Sequence, residues 1–189
     1  MKEYQLFCWK YCPYAHRAWL TAQVNQIEYK YTELNPYENR ENSEWRKVSP
    51  AGKVPVMQLA EKTPGINESL VCMELIDEIS GGKLMGSDPF SRAQTRLDAA
   101  QFDKEIVNSW YGYLMGNKSN NILSKIFVNI FLGKCEKEKF TEGWKNFLAR
   151  FDKEKGPFFN GEEELGFVDI VILPWMTRMY CHHVHKHYK

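Results

Sequence analysis

The stretch Tyr11-Cys12-Pro13-Tyr14-Ala15 places one thiol between a short apolar strand and the first turn of a helix. The preceding residues 4–9 predict a buried strand, and Pro13 suits the first helical position because that position needs no backbone N–H donor. Cys12 is then the N-cap or its neighbour. Unpaired amides and the helix dipole favour an ionised thiol there, so we expect the Cys12 pKa to fall from about 8.5 toward neutrality.

The residue three positions after Cys12 decides the kind of thiol chemistry. Ala15 stands there, where a Cys-x-x-Cys oxidoreductase carries the second thiol that resolves a mixed disulfide. A lone thiolate must be released by an external thiol, which makes a soluble thiol such as glutathione the expected co-substrate. The competing interpretation is an unreactive cysteine buried near a strand end.

Composition sets outer limits on the class of protein. The 189 residues are 43% hydrophobic and 26% charged, enough for one large or two small domains with a buried core. A net charge of +1 gives no bulk attraction to nucleic acid or anionic lipid. Five cysteines without regular spacing fit a reducing compartment. With neither a signal-peptide pattern nor a membrane-span-length apolar run, we expect a cytoplasmic protein, although an organelle is not excluded.

The apolar pattern changes once along the chain, which predicts two domains. Residues 1–80 alternate short apolar runs with helical stretches and predict a small α/β domain. Residues 81–88 read as a linker, after which Asp88 and Pro89 predict a helix start. The remainder, 89–189, predicts an all-helical domain. Its expected buried positions are Ala93, Leu97, Ala100, Val107, Trp110, Tyr111, Leu114, Phe140, Trp144, Phe147, Leu148 and Phe151.

Three further features of the sequence carry weaker expectations. The segment Ile122 to Leu132 has apolar residues on more than one helical face, which fits either a core helix or a docking surface for another protein or larger assembly. The run Cys181 to His187 contains metal-ligand residue types, but we interpret it as a frayed basic tail and expect no metal site. His16 is interpreted as a solvated helix residue rather than a catalytic group, and Pro174 is expected to kink the last helix.

The order of the motifs resembles the glutathione transferases. The motifs are Cys12 to Arg17 on a helix, Ser49 to Val56, Asn67 to Leu70 opening a helix, and the all-helical second half. Cysteine at the active position looks like the omega class, whose relatives include dehydroascorbate reductases and other glutathione-dependent thiol transferases. The resemblance implies an α/β fold with a thioredoxin-like N-terminal domain containing a mixed sheet, an all-α C-terminal domain, and the prospect of a homodimer.

The resemblance also implies a set of site residues, with Cys12 catalytic. The implied glutathione contacts are Pro13, Tyr14, Lys53, Val54, Pro55, Glu68 and Ser69. A cis Val54–Pro55 bond would leave the Val54 backbone free to pair with the extended tripeptide, whereas an ordinary trans proline would mark a sheet edge. Ser69 and the amides at the start of its helix would bind the γ-glutamyl carboxylate, and Glu68 would bind the ammonium group. Alternatively, Glu68 and Ser69 could act as a simple N-cap.

Departures from the family pattern bear on activity. Asn42 stands where omega-type sequences often carry a lysine for the glycyl carboxylate, a role that Lys53 or Arg40 would have to take. Gly166 replaces the Ser or Thr of the family's capping box, so only Asp169 can cap the last helix. Family members usually continue beyond the helix containing Pro174, so we expect an electrophile pocket that is open or built differently.

Two functions remain open from the sequence. The first is a glutathione-dependent thiol transferase or dehydroascorbate reductase-like enzyme, which uses the Cys12 thiolate on a disulfide or small-molecule substrate. The second is a catalytically weak or inactive structural subunit of a larger assembly.

Overall fold

The computed structural model describes residues 3–59, 64–116, 133–150, 157–159 and 163–187. The chain divides into two compact units, one formed by Met1–Arg92 with Asp169–Lys189 and the other by Ala93–Val168. The predicted boundaries of the two domains stay predictions. The segment Ile122 to Leu132 lies outside the described residues, and both interpretations of it also stay predictions.

The first unit is built on a mixed sheet of four strands in the order β2-β1-β3-β4. The strands are β1 (Tyr4–Cys8), β2 (Lys30–Glu33), β3 (Val56–Leu59) and β4 (Ile66–Asn67). β1 pairs in parallel with β2 and antiparallel with β3, and β3 pairs antiparallel with β4. The predicted mixed sheet is therefore confirmed, with β4 as an edge strand that the sequence did not predict.

Three helices from the same N-terminal stretch of the chain belong to this unit: α1 (Pro13–Val24), α2 (Ser43–Val48) and α3 (Ser69–Ile79). α1 begins with Pro13 as predicted, and α2 begins after Asn42, whose Oδ1 accepts hydrogen bonds from the amides of Glu44 and Trp45. α1 packs on α3 over the sheet. Their inward faces and the sheet bury Leu6, Ala18 and Ile76 completely, and burial of each large apolar side chain contributes roughly 1.5–3 kcal/mol.

The last helix, α7 (Phe167–His187), contains Pro174 and belongs to the first unit from Asp169 onward. Trp175 on this helix is almost fully buried. Helical structure continues to His187, so the interpretation of residues 181–187 as a frayed tail is wrong. Within the described residues, no helix is sufficiently long and apolar to cross a lipid bilayer.

The middle of the chain is helical, as predicted, but its long helix is interrupted. α4 (Pro89–Phe102) is followed by a π-helical turn (Asp103–Val107), α5 (Asn108–Gly116) and, after a gap in the described residues, α6 (Gly133–Leu148). Asp88 caps α4, its Oδ1 accepting from the amides of Phe90 and Ser91 at 2.8 and 3.1 Å. A π-helical turn has no strong residue signature, so the spacing of apolar residues does not reveal this interruption.

The buried face of α4 differs from the predicted face. Leu97 is half exposed and Ala93 and Ala100 are exposed, whereas Thr95, Asp98, Ala99 and Phe102 are buried. The prediction was wrong because it counted only apolar side chains. Asp98 is tolerated in the interior because Arg150 contacts its carboxylate at 2.7 Å.

Aromatic packing fills the second unit beyond α4. Phe147 lies 5.3 Å from Phe102 and stacks on Phe159 at 5.1 Å between ring centroids. The predicted burial of Val107, Trp110 and Phe147 is confirmed, while Leu148 is exposed. Gly143 lets α6 approach the π-helical turn closely, since a Cβ there would lie 2.7 Å from the backbone oxygen of Glu105.

Candidate active site

Cys12 is the N-cap residue of α1, with an extended backbone conformation. Its amide donates to the carbonyl of Trp9 at 2.8 Å, and its carbonyl accepts from the amide of His16 at 3.0 Å. These two bonds close the connection from β1 and begin the helix. The Cys12 side chain is partly exposed, and its Sγ lies 3.8 Å from the carbonyl oxygen of Val54. The sequence thus predicted the position of the thiol correctly.

The ionisation of Cys12 differs from the expectation. Burial is the largest influence and raises its pKa, while hydrogen bonds from the amides of Ala15 and Tyr14 lower it. The charges of Arg178 and Arg17 also lower it, and the net result is a pKa above the usual value for a cysteine. The helix amides act as the sequence predicted, but the packing around the sulfur outweighs them, so the expected depression of the pKa is wrong for the ligand-free chain.

The segment that faces Cys12 is the connection into β3. The Val54–Pro55 peptide bond is cis, as the resemblance implies, and β3 starts only at Val56. Val54 therefore lies outside the strand ladder with its carbonyl directed at the thiol. Ser49 fixes the approach to this segment, because its Oγ donates to the carbonyl of Lys53 at 2.9 Å and accepts from the Lys53 amide at 3.1 Å.

Gly52 completes the turn before Val54. It has a φ of +64°, a conformation that side chains with a Cβ rarely adopt. A Cβ at this position would also lie 2.9 Å from the guanidinium of Arg46, which itself donates to the carbonyl of Pro50 at 2.7 Å. The positive φ is what favours glycine here, because the flexible end of the Arg46 side chain could shift to make room for a Cβ.

Glu68 and Ser69 lie at the start of α3, in the same unit. Glu68 is the N-cap with a φ of +68°, an unfavourable conformation for a residue with a side chain, and such positions cost on the order of 1–3 kcal/mol. Its side chain makes no capping hydrogen bond. Glu68 therefore occupies the N-cap position that the simpler interpretation predicts, but its side chain does not cap the helix. Ser69 is largely buried at the amide end of an 11-residue helix.

Arg17 is a site residue that the sequence analysis missed. It is completely buried in α1, and its Nη1 donates to Ser69 Oγ at 3.3 Å while its Nε donates to the carbonyl of Val171 at 3.0 Å. The guanidinium carbon lies 4.1 Å from the centroid of the Trp175 ring. The available signal was an arginine on the same helix face as Ala18 and Thr21, both small and buried.

The other candidate residues differ in how closely they surround the thiol. Pro13 and Pro55 are buried, and the half-buried Tyr14 packs edge-on against Trp175 with ring centroids 4.8 Å apart. Lys53 and Arg40 are exposed on the surface. Asn42 caps α2, so the departure from the family's lysine at this position has a structural role.

Arg178 is a second residue that the sequence analysis missed. Its Nη2 donates to the carbonyl of Tyr11 at 3.3 Å, and its Nη1 lies 3.5 Å from His16 Nδ1. Burial lowers the pKa of His16, and the Arg178 charge lowers it further, so the imidazole is neutral at neutral pH. Among the residues that the structure describes, no cluster of three or more His, Cys, Asp or Glu side chains is arranged to hold a metal ion.

The comparisons with known proteins agree with this geometry. The family described as "Glutathione S-transferase, N-terminal domain" matches residues 11–79. The "Probable glutathione S-transferase GSTU6" of Oryza sativa subsp. japonica is 31% identical over 176 residues, which cover 87% of this chain and 69% of that protein. The "Probable glutathione transferase omega-2" of Caenorhabditis elegans is 24% identical over 178 residues, which cover 93% of this chain and 64% of that protein.

A solved structure supports the fold. Glutathione transferase Omega 3C from Trametes versicolor superposes with a TM-score of 0.75 at 24% identity, covering 94% of this chain and 73% of that one. The predicted fold class, a thioredoxin-like domain with a mixed sheet followed by a helical region, is confirmed. The chain spans about two thirds of the length of these two curated relatives. Because the family model matches residues 11–79, which include Cys12, and the rice relative is 31% identical over 69% of its own length, the chain belongs to the glutathione S-transferase family.

Proposed function

We propose that this chain is an omega-like, glutathione-dependent thiol transferase in which Cys12 forms a mixed disulfide with glutathione. The observation that carries the proposal is the single thiol at the α1 N-terminus, 3.8 Å from the Val54 carbonyl, with Ala15 at the position where a resolving cysteine would stand. A cysteine in this place is suited to disulfide exchange with an external thiol. A serine or tyrosine hydroxyl there would instead activate the thiol of a bound glutathione by hydrogen bonding.

Glutathione would bind along the edge formed by the Val54 segment. Its backbone would pair with Val54 as an added strand, which brings its sulfur beside Cys12. Its γ-glutamyl carboxylate would lie against Ser69 and the α3 amides, with Glu68 accepting from the ammonium group. Pro13, Tyr14 and Pro55 would shape the surface around the thiol, and the exposed Lys53 would reach the glycyl carboxylate.

The exchange proceeds in two balanced steps. The Cys12 thiolate attacks the glutathione sulfur of a mixed disulfide; the new Cys12–glutathione disulfide forms as the substrate disulfide breaks and the substrate leaves as a thiolate. A second glutathione thiolate then attacks the glutathione sulfur of that disulfide, which releases Cys12 and oxidised glutathione. Dehydroascorbate is a second acceptor class, reduced at the expense of two glutathione molecules.

The raised pKa of Cys12 sets the pH behaviour of this proposal. Because burial keeps the thiol protonated in the ligand-free chain, only a small fraction is thiolate at neutral pH. The amides of Tyr14 and Ala15 and the two arginines then supply the stabilisation that makes the anion accessible as pH rises.

A substitution of the thiol tests the proposal. In Cys12→Ser, glutathione-dependent reduction of hydroxyethyl disulfide should be lost while glutathione binding, followed by calorimetry, persists. Cys181→Ser is the matched control, since it removes an exposed thiol of α7 outside the proposed glutathione site. Full exchange activity in Cys12→Ser would refute the assignment.

A second candidate function is a non-catalytic, glutathione-transferase-like subunit of a larger assembly. The raised pKa of Cys12 favours it, because a protonated thiol is a poor nucleophile. Retention on glutathione coupled to agarose distinguishes the two functions: an enzyme must bind the tripeptide, whereas a structural subunit need not.

We also propose that the chain forms a homodimer and acts in the cytoplasm. Ile66 and Val71 are among the exposed apolar side chains of the first unit, with 45% and 50% of their surface accessible. We propose that these two side chains lie in the contact between the two copies. Their replacement by glutamate should convert the dimer to a monomer in sedimentation experiments, because each carboxylate would lose its water in that contact.

A further inference from the structure

Arg46 joins the two sides of α2. Its Nε donates to the carbonyl of Arg40 at 3.0 Å, in the chain that enters the helix, and its Nη1 donates to the carbonyl of Pro50 at 2.7 Å, in the chain that leaves it. A charged donor makes a stronger hydrogen bond than a neutral one, and the planar guanidinium can serve two acceptors at once. One partly exposed side chain therefore fixes the backbone on both sides of a six-residue helix.

The Pro50 carbonyl belongs to the turn of residues 49–53, which leads into the segment that faces the thiol. The Gly52 amide donates to the Ser49 carbonyl at 2.8 Å, and the fully buried Ser49 holds Lys53 through its hydroxyl. Arg46 adds a second hold, since its guanidinium bonds Pro50 and lies so close to Gly52 that an added Cβ would be 2.9 Å from Nη1. The turn is thus fixed by a buried hydroxyl and by a partly exposed guanidinium.

Val54 depends on this turn for its position. It lies outside the strand ladder, because β3 begins only at Val56, and its carbonyl oxygen is 3.8 Å from Cys12 Sγ. Since no strand pairing fixes Val54 itself, the turn that leads into it decides how well this backbone is ordered before a ligand arrives. A backbone edge that is already ordered costs an incoming peptide less free energy than one that the peptide must order.

We propose that Arg46 is a positioning residue for glutathione, which holds the 49–53 turn so that Val54 is ordered before the tripeptide binds. The inference rests on the proposed function, in which the glutathione backbone pairs with Val54. Arg46 acts through the carbonyl of Pro50 and not by touching the ligand. Its contribution to affinity is therefore the same whether or not the ligand carries a glycyl carboxylate.

Two ligands of nearly equal shape test how Arg46 acts. Glutathione and its glycinamide analogue, which lacks the glycyl carboxylate charge, are titrated into the full chain by calorimetry. Arg46→Met should weaken the binding of both about tenfold, the lower end for a charged donor because Arg46 is partly exposed. A loss seen with glutathione but not with the glycinamide would mean that Arg46 binds the carboxylate directly, and the positioning role would be wrong.

Two further variants separate the role of the guanidinium from that of charge on α2. Arg46→Lys should recover part of the affinity, because its ammonium can reach one of the two carbonyls. Lys47→Met is the matched control: this neighbouring cation pairs with Glu44 at 2.7 Å on the surface, and glutathione should bind this variant as it binds the parent. An equal loss in Lys47→Met and Arg46→Met would overturn the assignment to Arg46.

Steady-state kinetics with hydroxyethyl disulfide distinguish positioning from general damage to the fold. In Arg46→Met the KM for glutathione should rise about tenfold, while kcat at saturating glutathione stays within about twofold of the parent, because the bound tripeptide then orders the turn itself. Thermal melts show whether each variant is folded at the assay temperature. A fall in kcat with an unchanged KM would contradict the proposal.

Hydrogen exchange of the ligand-free chain tests the hold on the turn without any glutathione. The amides of Gly52 and Lys53 should exchange at least about threefold faster in Arg46→Met than in the parent, whereas the amides of α3 keep the parental rates. Unchanged exchange at Gly52 and Lys53 would overturn the inference. Faster exchange with parental glutathione affinity would also overturn it and leave the proposed function intact, whereas a parent chain that does not bind glutathione would overturn the proposed function itself.

Discussion

Arg17 donates a hydrogen bond to the hydroxyl of Ser69 at 3.3 Å, which joins the middle of α1 to the first residue of α3. Because Ser69 Oγ accepts from the guanidinium, its hydroxyl can still donate its own proton to a ligand. A buried arginine thus connects the helix that presents the thiol with the helix terminus proposed to hold the γ-glutamyl carboxylate. Arg17 also acts on the thiol itself, since its charge lowers the pKa of Cys12.

A double-mutant cycle tests this relationship. Arg17→Met should weaken glutathione binding by about 1–2 kcal/mol, because Ser69 loses the donor that orients it. In a Ser69→Ala background the same substitution should cost much less, since the hydroxyl through which Arg17 acts is already gone. Calorimetric affinities of the four proteins measure the coupling, and thermal melts show whether each remains folded. Additive losses would contradict the coupling.

The reactivity of Cys12 should depend strongly on pH. Its pKa is raised by burial above the usual cysteine value, so the rate of alkylation by iodoacetamide should still be rising at about pH 8.5, where an ordinary thiol is half ionised. Arg178→Gln should shift the profile to higher pH, because one stabilising charge is lost. The control is Arg92→Gln, whose arginine pairs with Glu78 at 3.1 Å on the surface. A Cys12 profile centred near neutral pH would contradict the structure.

Two buried thiols should make the fold sensitive to alkali. Burial, the largest influence, raises the pKa of Cys72 to about 12, and burial likewise raises the pKa of Cys8. A group whose pKa is higher in the folded than in the unfolded chain contributes stability that is complete below the unfolded pKa and is lost as pH rises. Each thiol should therefore cost about 1.4 kcal/mol of unfolding free energy per pH unit above about 8.5.

Urea unfolding at several pH values measures this loss. Cys72→Ala should show a smaller decline above about pH 8.5 than the parent protein, by the contribution of one thiol, although its stability near neutrality is lower because the hydrogen bond of Cys72 Sγ to the Ile66 carbonyl is lost. Cys181→Ser, which changes an exposed thiol, is the control and should follow the parent slope. Equal slopes in all three proteins would contradict the prediction.

Local signals in the sequence predicted the elements that carry the site, and long-range packing accounts for what they missed. Pro13 after an apolar strand was sufficient to place Cys12 at the α1 N-terminus, and Asp88-Pro89 was sufficient to place the start of α4. Both depend on residues adjacent in sequence. The expected depression of the Cys12 pKa failed because it counted the neighbouring amides and not the burial imposed by distant segments such as Val54.

The same distinction explains the missed arginines and the shifted face of α4. Arg17 in α1 donates to the carbonyl of Val171 in α7, and Arg178 in α7 contacts His16 in α1. The partners in each pair lie about 160 positions apart in the chain, and no local pattern encodes that approach. In α4, Asp98 is buried, and Arg150 reaches its carboxylate from beyond α6. A pattern that assigns charged residues to the surface therefore chose the wrong helix face.

Asn42 allows stability and glutathione binding to be separated at a single position. Its Oδ1 caps α2 by accepting from the amides of Glu44 and Trp45 at 3.0 and 3.1 Å, so Asn42→Lys should cost about 1 kcal/mol of unfolding free energy. The lysine that the resemblance places here would meanwhile add a cation for the glycyl carboxylate, and glutathione should bind more tightly. Asn42→Ser is the control: it keeps a capping oxygen, and both stability and affinity should stay near those of the parent. If Asn42→Lys loses stability without any gain in glutathione affinity, the glycyl carboxylate does not lie near the start of α2.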